Sequence, residues 1–160
     1  MTIREATDSD FKKLAEVQRR AVDVCLRPLY DEGMIDAWIE GIDAEKFASI
    51  METDEVILVA EIAVQAVGFC SYKTSESLLS MWYVHPAFHG RGIGKKLLAA
   101  AEDALREGGG DVVTTEASLQ SRLRFEALGW KTEEEFDKSA HGGTFRVVRM
   151  SKKLRATANK

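Results

Sequence analysis

The stretch His85-Pro86-Ala87-Phe88-His89-Gly90-Arg91-Gly92-Ile93-Gly94-Lys95-Lys96-Leu97-Leu98 decides the reading of this chain. It follows the apolar run Leu78 to Val84 and opens an alanine-rich helical pattern. Where a strand turns through closely spaced glycines into a helix, unpaired backbone N–H groups converge and the helix dipole adds partial positive charge. An anion belongs there, and the segment reads as a pyrophosphate cradle. Side chains at Gly90, Gly92 or Gly94 would hold a phosphate off the backbone and restrict the dihedrals of the loop. Arg91, Lys95 and Lys96 add mobile positive charge beside it.

Two other phosphate-binding patterns fail on spacing. A P-loop ending at Gly94-Lys95 needs glycine where His89 stands and a hydroxyl residue where Lys96 stands. The dinucleotide fingerprint needs a third glycine where Gly90-x-Gly92 is followed by Lys95, and Gly92-x-Gly94 by Leu97.

Composition narrows the class. The chain has 160 residues, 45% of them hydrophobic, enough for one core and too few for two ordinary domains. A net charge of −4 argues against broad binding to nucleic acid or an anionic membrane surface, both of which need excess basic charge. No apolar run approaches a bilayer-crossing length, and Met1 to Asp10 is polar rather than signal-like, so a soluble cytoplasmic protein is expected. Cys25 and Cys70 fall in apolar segments and read as buried thiols. His85, His89 and His141 have no metal-ligand spacing with them, and no metal is expected.

Along the chain, Thr7-x-x-Asp10 reads as a capping box ahead of an amphipathic helix carrying Phe11, Leu14, Ala15, Ala21, Val22 and Cys25. Pro28 interrupts it. Ile35, Trp38, Ile39 and Ile42 predict a second short helix, and Asp43 caps a third with Phe47, Ile50 and Met51. Val56 to Ile62 and Ala66 to Lys73 form a hairpin across Ala63-Val64-Gln65, which is poor turn chemistry. Leu78 to Val84 is the strand that feeds the glycine loop. The helix after the loop presents Ile93, Leu97, Ala101, Ala104 and Leu105 on one face and stops at Gly108-Gly109-Gly110. A strand over Val112 to Glu116 follows. Ser118 then caps a helix over Leu119 to Leu128, and strands near Trp130 to Phe136 and Thr144 to Lys153 end the domain. Arg155 to Lys160 reads as a frayed tail.

These motifs, taken in order, resemble the GNAT acetyltransferase superfamily. Its motif A has Gln or Arg, two variable residues, Gly, one variable residue, then Gly or Ala; His89, Gly92 and Gly94 occupy those places. Ile3-Arg4-x-Ala6, Val67-Gly68-Phe69, Val84-x-Pro86 and Phe125-Glu126-x-x-Gly129-Trp130 extend the likeness over nearly the whole chain. Ala117-Ser118 with Arg124 to Trp130 looks closest to a bacterial branch of YafP-like proteins. The resemblance implies a single α/β domain over residues 1–154, with a mixed sheet in the order β-α-α-β-β-β-α-β-α-β-β and a tail over 155–160. It also implies acetyl-CoA as cosubstrate and direct transfer of acetyl to an amine of a small molecule or peptide. Homodimers are common in the family, and no segment of this chain decides the matter.

The chemistry needs a neutral amine, a positioned thioester, oxyanion stabilisation and a departing thiolate. By resemblance, Trp82, Tyr83 and Val84 hold the pantetheine, with a backbone N–H near Val84 as oxyanion donor. His89, Gly90, Arg91, Gly92, Ile93, Gly94 and Lys95 hold the pyrophosphate. Ser118 stands where relatives often carry a cofactor-contacting asparagine, and it also suits a helix cap. Phe125 replaces the tyrosine that protonates the CoA sulfur in many members; it packs but cannot donate a proton. The glutamate some relatives use as base aligns with Leu78, which leaves Glu116, Tyr83 and His85 as candidate catalytic groups. Tyr30 and Trp38 are candidates for an acceptor pocket. The missing tyrosine and glutamate motivate a rival reading, a non-catalytic acyl-CoA-binding regulatory module.

Overall fold

A computed structural model describes residues 1–154, and the tail expected at 155–160 lies outside the described residues. Strand β1 (Thr2–Glu5) leads into the expected capping box, in which the Asp10 carboxylate accepts the Thr7 N–H at 2.7 Å. Helix α1 (Phe11–Ala21) buries Phe11, Leu14, Ala15, Val17, Gln18 and Ala21. It runs on through a π-helical turn over Val22–Leu26 that ends before Pro28. Helices α2 (Glu32–Glu40) and α3 (Ala44–Met51) are each capped by an aspartate. Asp31 accepts from Met34 N–H and Asp43 from Lys46 N–H. The chain thus carries three helices before its second strand, where the family order has two.

Strands β2 (Val56–Ile62) and β3 (Gln65–Lys73) pair antiparallel across a two-residue turn, Ala63-Val64. Both turn residues have positive φ, 50° and 65°, as a primed turn demands, although neither residue type favours it. Strand β4 (Leu78–Val84) feeds α4 (Ile93–Glu107), and β5 (Val112–Ser118) follows. The predicted helix over Leu119–Leu128 is shorter: α5 spans Arg122–Ala127, because β5 continues through Ser118 and the chain needs Leu119–Ser121 to turn. The final hairpin is longer than the sequence pattern suggested. Strands β6 (Lys131–Ala140) and β7 (Gly143–Lys153) meet at His141-Gly142, whose φ values are 53° and 75°.

Among the described residues, seven strands form one sheet in the order β1-β2-β3-β4-β5-β7-β6. Every pairing is antiparallel except β4 with β5, which share a single registered pair, Leu78 with Thr114. Helix α4 packs one face through Ile93, Leu97, Leu98, Ala101 and Leu105. Helices α1 to α3 pack the other around Leu14, Ile35, Phe47 and Phe69. One buried carboxylate interrupts the first core. Glu102 on α4 accepts from the Trp130 indole at 3.2 Å and from Lys152 Nζ at 2.7 Å, so its charge is paired.

Candidate active site

The single shared pair between β4 and β5 places a gap in the middle of the sheet. At its root, Thr114 N–H donates to Ser77 O at 3.0 Å, and the buried Thr115 hydroxyl donates to Leu79 O at 2.8 Å. Past that point the strands part. Ser80 is the extra residue of a bulge, since Ser71 pairs with Met81 and Tyr72 with Leu79. Beyond the bulge, His85 N–H donates to Val67 O at 2.8 Å, and antiparallel bonding alternates residue by residue. Tyr83 therefore bonds to β3, while the N–H and C=O of Trp82 and Val84 point across the gap toward β5.

A cleft of about 720 Å³ follows the gap through the sheet, from the α4 face to the α1–α2 face. On the α4 face, Gly90 and Gly92 have φ of 78° and 76°, in the left-handed region where a side chain is strained. The first backbone bond of α4 is Lys96 N–H to Gly92 O at 3.1 Å, which leaves the amides of Ile93, Gly94 and Lys95 without intrahelical acceptors. Gly94 is required for a second reason. A Cβ there would sit 3.3 Å from the Trp82 ring, whose indole N–H donates to Gly94 O at 2.8 Å. Trp82 in turn lies 4.6 Å from Phe125, and Phe125 5.0 Å from Trp130, so the Phe125 ring, 3% exposed, is wedged between two indoles at the cleft wall.

The fold recurs in known proteins. Residues 25–154 match the family model described as Acetyltransferase (GNAT) domain. The chain belongs to the GNAT acetyltransferase family. Its structure resembles a GCN5-related N-acetyltransferase from Rhodopseudomonas palustris, with 26% identity over 96% of this chain and 95% of that one and a TM-score of 0.88. It also resembles the PaiA N-acetyltransferase of Thermoplasma acidophilum, solved with coenzyme A, with 26% identity, coverage of 95% and 98%, and a TM-score of 0.77. A ribosomal-protein-alanine N-acetyltransferase from Brucella melitensis shares the fold at 23% identity, with coverage of 96% and 100% and a TM-score of 0.75. No curated protein sequence matches the chain.

Within this GNAT cleft the residues singled out from sequence divide. Trp82, Tyr83, Val84, His89, Gly90, Gly92, Ile93, Gly94, Lys95, Glu116, Ser118 and Phe125 all line it. Arg91 does not; its guanidinium lies over the Phe88 ring at 5.0 Å, outside the lining residues. His85 also lies outside. Its Nδ1 accepts the Ala87 N–H at 3.1 Å and caps the Pro86–Phe88 turn. Burial holds its pKa below the usual histidine value, with Lys13 and Arg20 of α1 adding to the effect. His89 has its Nε2 2.9 Å from Val84 O, so in the neutral ring the one N–H is directed at the strand and Nδ1 is left as an acceptor. Ile93 is 3% exposed and its side chain belongs to the core.

Glu116 reaches the cleft as half of an ion pair, with Lys138 Nζ 2.6 Å from its carboxylate. Tyr83 faces the α1 side, packed on Phe69, and burial pushes its phenol pKa up while a bond with Gln18 opposes the shift. Ser118 Oγ accepts the Ser121 N–H at 3.1 Å, the turn-capping role, and still lines the cleft. Tyr30, expected beside Trp38 in an acceptor pocket, is not among the residues that line the cleft. Its hydroxyl accepts from Leu119 N–H and donates to Arg146 O, both at 3.1 Å, and so ties the end of β5 to β7. The α1–α2 end of the cleft is closed by Trp38, Phe145 and His141, the last missed in the sequence because a hairpin-tip histidine carries no spacing signal.

Proposed function

We propose that this GNAT chain, one domain over residues 1–154, binds acetyl-CoA in the cleft and transfers acetyl directly to an amine of a small molecule or peptide. The observation that carries the reading is the gap between β4 and β5, which opens at one end on the glycine turn and at the other on an aromatic chamber. The amides of Gly90 to Lys95 would hold the diphosphate, aided by the helix dipole and the Lys95 ammonium. The outward backbone groups of Trp82 and Val84 would hold pantetheine as an added strand, with Val84 N–H as oxyanion donor.

Two neighbours solved with coenzyme A or acetyl-CoA support the cosubstrate: the PaiA enzyme, and a putative acetyltransferase, YncA, of Salmonella typhimurium. The leaving thiolate needs no tyrosine, because a thiol pKa of about 8.5 makes it a tolerable leaving group near neutral pH. Phe125 then serves as a packing surface. We further assign the chain to the YafP-like bacterial branch, acting in the cytoplasm; no described helix is long and apolar enough to cross a membrane.

Calorimetry with acetyl-CoA and mass spectrometry of acetylated product across an amine panel test the reading. Binding and enzyme-dependent product are expected. No binding to the folded protein would overturn it, and binding without product would favour the non-catalytic module.

A further inference from the structure

An amine acceptor arrives largely as its ammonium, so the site must remove a proton before the nitrogen can attack. Among the described residues, four ionisable side chains besides lysine and arginine line the α1–α2 end of the cleft: Cys25, Tyr83, Glu116 and His141. Burial raises the pKa of Cys25 and Tyr83, so both keep their protons at neutral pH. Glu116 is engaged at 2.6 Å by Lys138. His141 differs from all three. It sits at the tip of the β6–β7 hairpin, where its φ of 53° and Gly142 at 75° turn the chain back over the cleft. Its ring stacks on Trp38 of α2 at 4.7 Å and 7°, and Phe145 of β7 lies 6.2 Å away. Face-to-face stacking fixes the plane of the ring and leaves its edge, which carries both nitrogens, outside the contact.

We propose that His141 is the proton acceptor for the amine substrate, held in place by Trp38. This rests on the acetyltransferase reading and completes it. Burial lowers the His141 pKa from its usual value, and the facing cations Lys46 on α3 and Lys138 on β6 lower it further. Glu116 of β5 faces the same space paired with Lys138, so it offsets the Lys138 contribution and burial with Lys46 carries the shift. The imidazole is therefore uncharged at neutral pH, the form that accepts a proton. One proton of the ammonium passes to the ring, directly or through one water. The neutral nitrogen adds to the thioester carbonyl, forming the C–N bond. Collapse breaks the C–S bond, and the second proton travels from the adduct nitrogen to the departing sulfur. The imidazolium releases its proton to solvent, so the net products are amide, CoA thiol and one proton. This route needs no hydroxyl at Phe125.

The hairpin supplies a clean test. Asparagine tolerates positive φ, and Asn-Gly suits a primed two-residue turn, so His141→Asn removes the base while keeping the turn. The full chain is assayed with acetyl-CoA against benzylamine, an alanyl peptide and spermidine, and against phenylhydrazine, which is already neutral at pH 7. Product is read by mass spectrometry and fold by thermal melting. For whichever alkylamine the native enzyme acetylates, His141→Asn should lower kcat/KM by about 100-fold, and phenylhydrazine should lose less than about 10-fold. The native kcat/KM should rise with pH through a group below 6.5, and that limb should vanish in the variant. An unchanged alkylamine rate or a retained limb overturns the assignment of His141, as does an equal loss on both amine classes. Absence of product from the native enzyme with every amine overturns the acetyltransferase reading itself, which separates the two failures.

Discussion

Replacing Thr115 with valine tests whether the gap in the sheet is held at its root by one side-chain bond. Valine matches the shape of threonine but has no donor. The Thr115 hydroxyl is buried and donates to Leu79 O at 2.8 Å across β4 and β5. Removing the donor leaves a buried carbonyl without its partner, which costs about 1–3 kcal/mol. The carbonyl has no ladder partner on β5, because the two strands share only the Leu78–Thr114 pair. For a chain of this size about 2 kcal/mol corresponds to a fall in Tm of about 4–8 °C. Thr115→Ser, which keeps the hydroxyl, should recover most of it. The functional effect should exceed the stability effect. Without the bond the fork moves back toward Leu78, and Trp82 and Val84 lose their fixed distance from β5. Differential scanning calorimetry gives the first number and isothermal titration with acetyl-CoA the second. Valine and serine variants equal in Tm, both binding acetyl-CoA like the native protein, would refute the reasoning.

Gly92→Val should abolish acetyl-CoA binding in calorimetry with the fold retained, since a β-branched residue at φ 76° distorts the loop that presents the amides. The double change Ala63→Asn with Val64→Gly should raise stability by about 1 kcal/mol, read by urea titration, because both native residues sit at positive φ in a turn that favours Asn-Gly. Asp10 is held below the usual carboxylate pKa by Arg4, which bonds it at 2.8 and 2.9 Å. A depressed folded-state pKa contributes stability above the unfolded value and loses it as pH falls through the folded one. Thermal melts should therefore drop on acidification toward the lower end of the carboxylate range, and Asp10→Asn should be less stable at neutral pH and flatter in acid. Phe125→Tyr should leave turnover undiminished, because the ring lines the cleft between two indoles; a collapse in rate would show that the hydroxyl has no outlet there.

The sequence made the sheet and the helix faces legible wherever local chemistry and burial agree. Helix α1 shows it, with a capping box and apolar residues at 3.6-residue spacing. The same holds for the turn into α4, because glycines at positive φ are a backbone requirement written directly as residue type. Helix α5 was less legible: Ser118 caps a turn that precedes the helix, which begins only at Arg122, and a cap looks the same in sequence whichever it serves. The Ala63-Val64 turn gave no chemical signal, since strand pairing on both sides forces a conformation its residues disfavour. Within the site, spacing located the residues on β4 and the glycine loop because they are contiguous. Trp38 is marked as a pocket candidate by its place in the divided helical region, but His141 lies far along the chain and meets it only through packing, so no local pattern marks the two as neighbours. His85 shows the converse: adjacency to the motif suggested chemistry, yet its side chain caps a turn outside the cleft.

A sheet with a gap at its centre leaves unpaired backbone groups, and something must stop the strands from closing on one another or tearing apart. Three polar links from three separate segments border the opening, and one of them crosses from β5 to β4. Thr115 fixes where the fork begins. Tyr30, from the α1–α2 connection, fixes where β5 ends by bonding Leu119 N–H and Arg146 O together. His89, from the glycine loop, holds Val84 O on the opposite strand. Thr115 and His89 satisfy carbonyls of β4 that the missing β4–β5 ladder leaves open, and Tyr30 satisfies groups just past the last β5–β7 pair. The root of the opening is therefore set by a side chain, and its two rims are braced by side chains rather than by the ladder. It follows that the cleft should respond to substitutions at Thr115, Tyr30 and His89 as one unit, with losses in acetyl-CoA affinity that fail to add when two are combined.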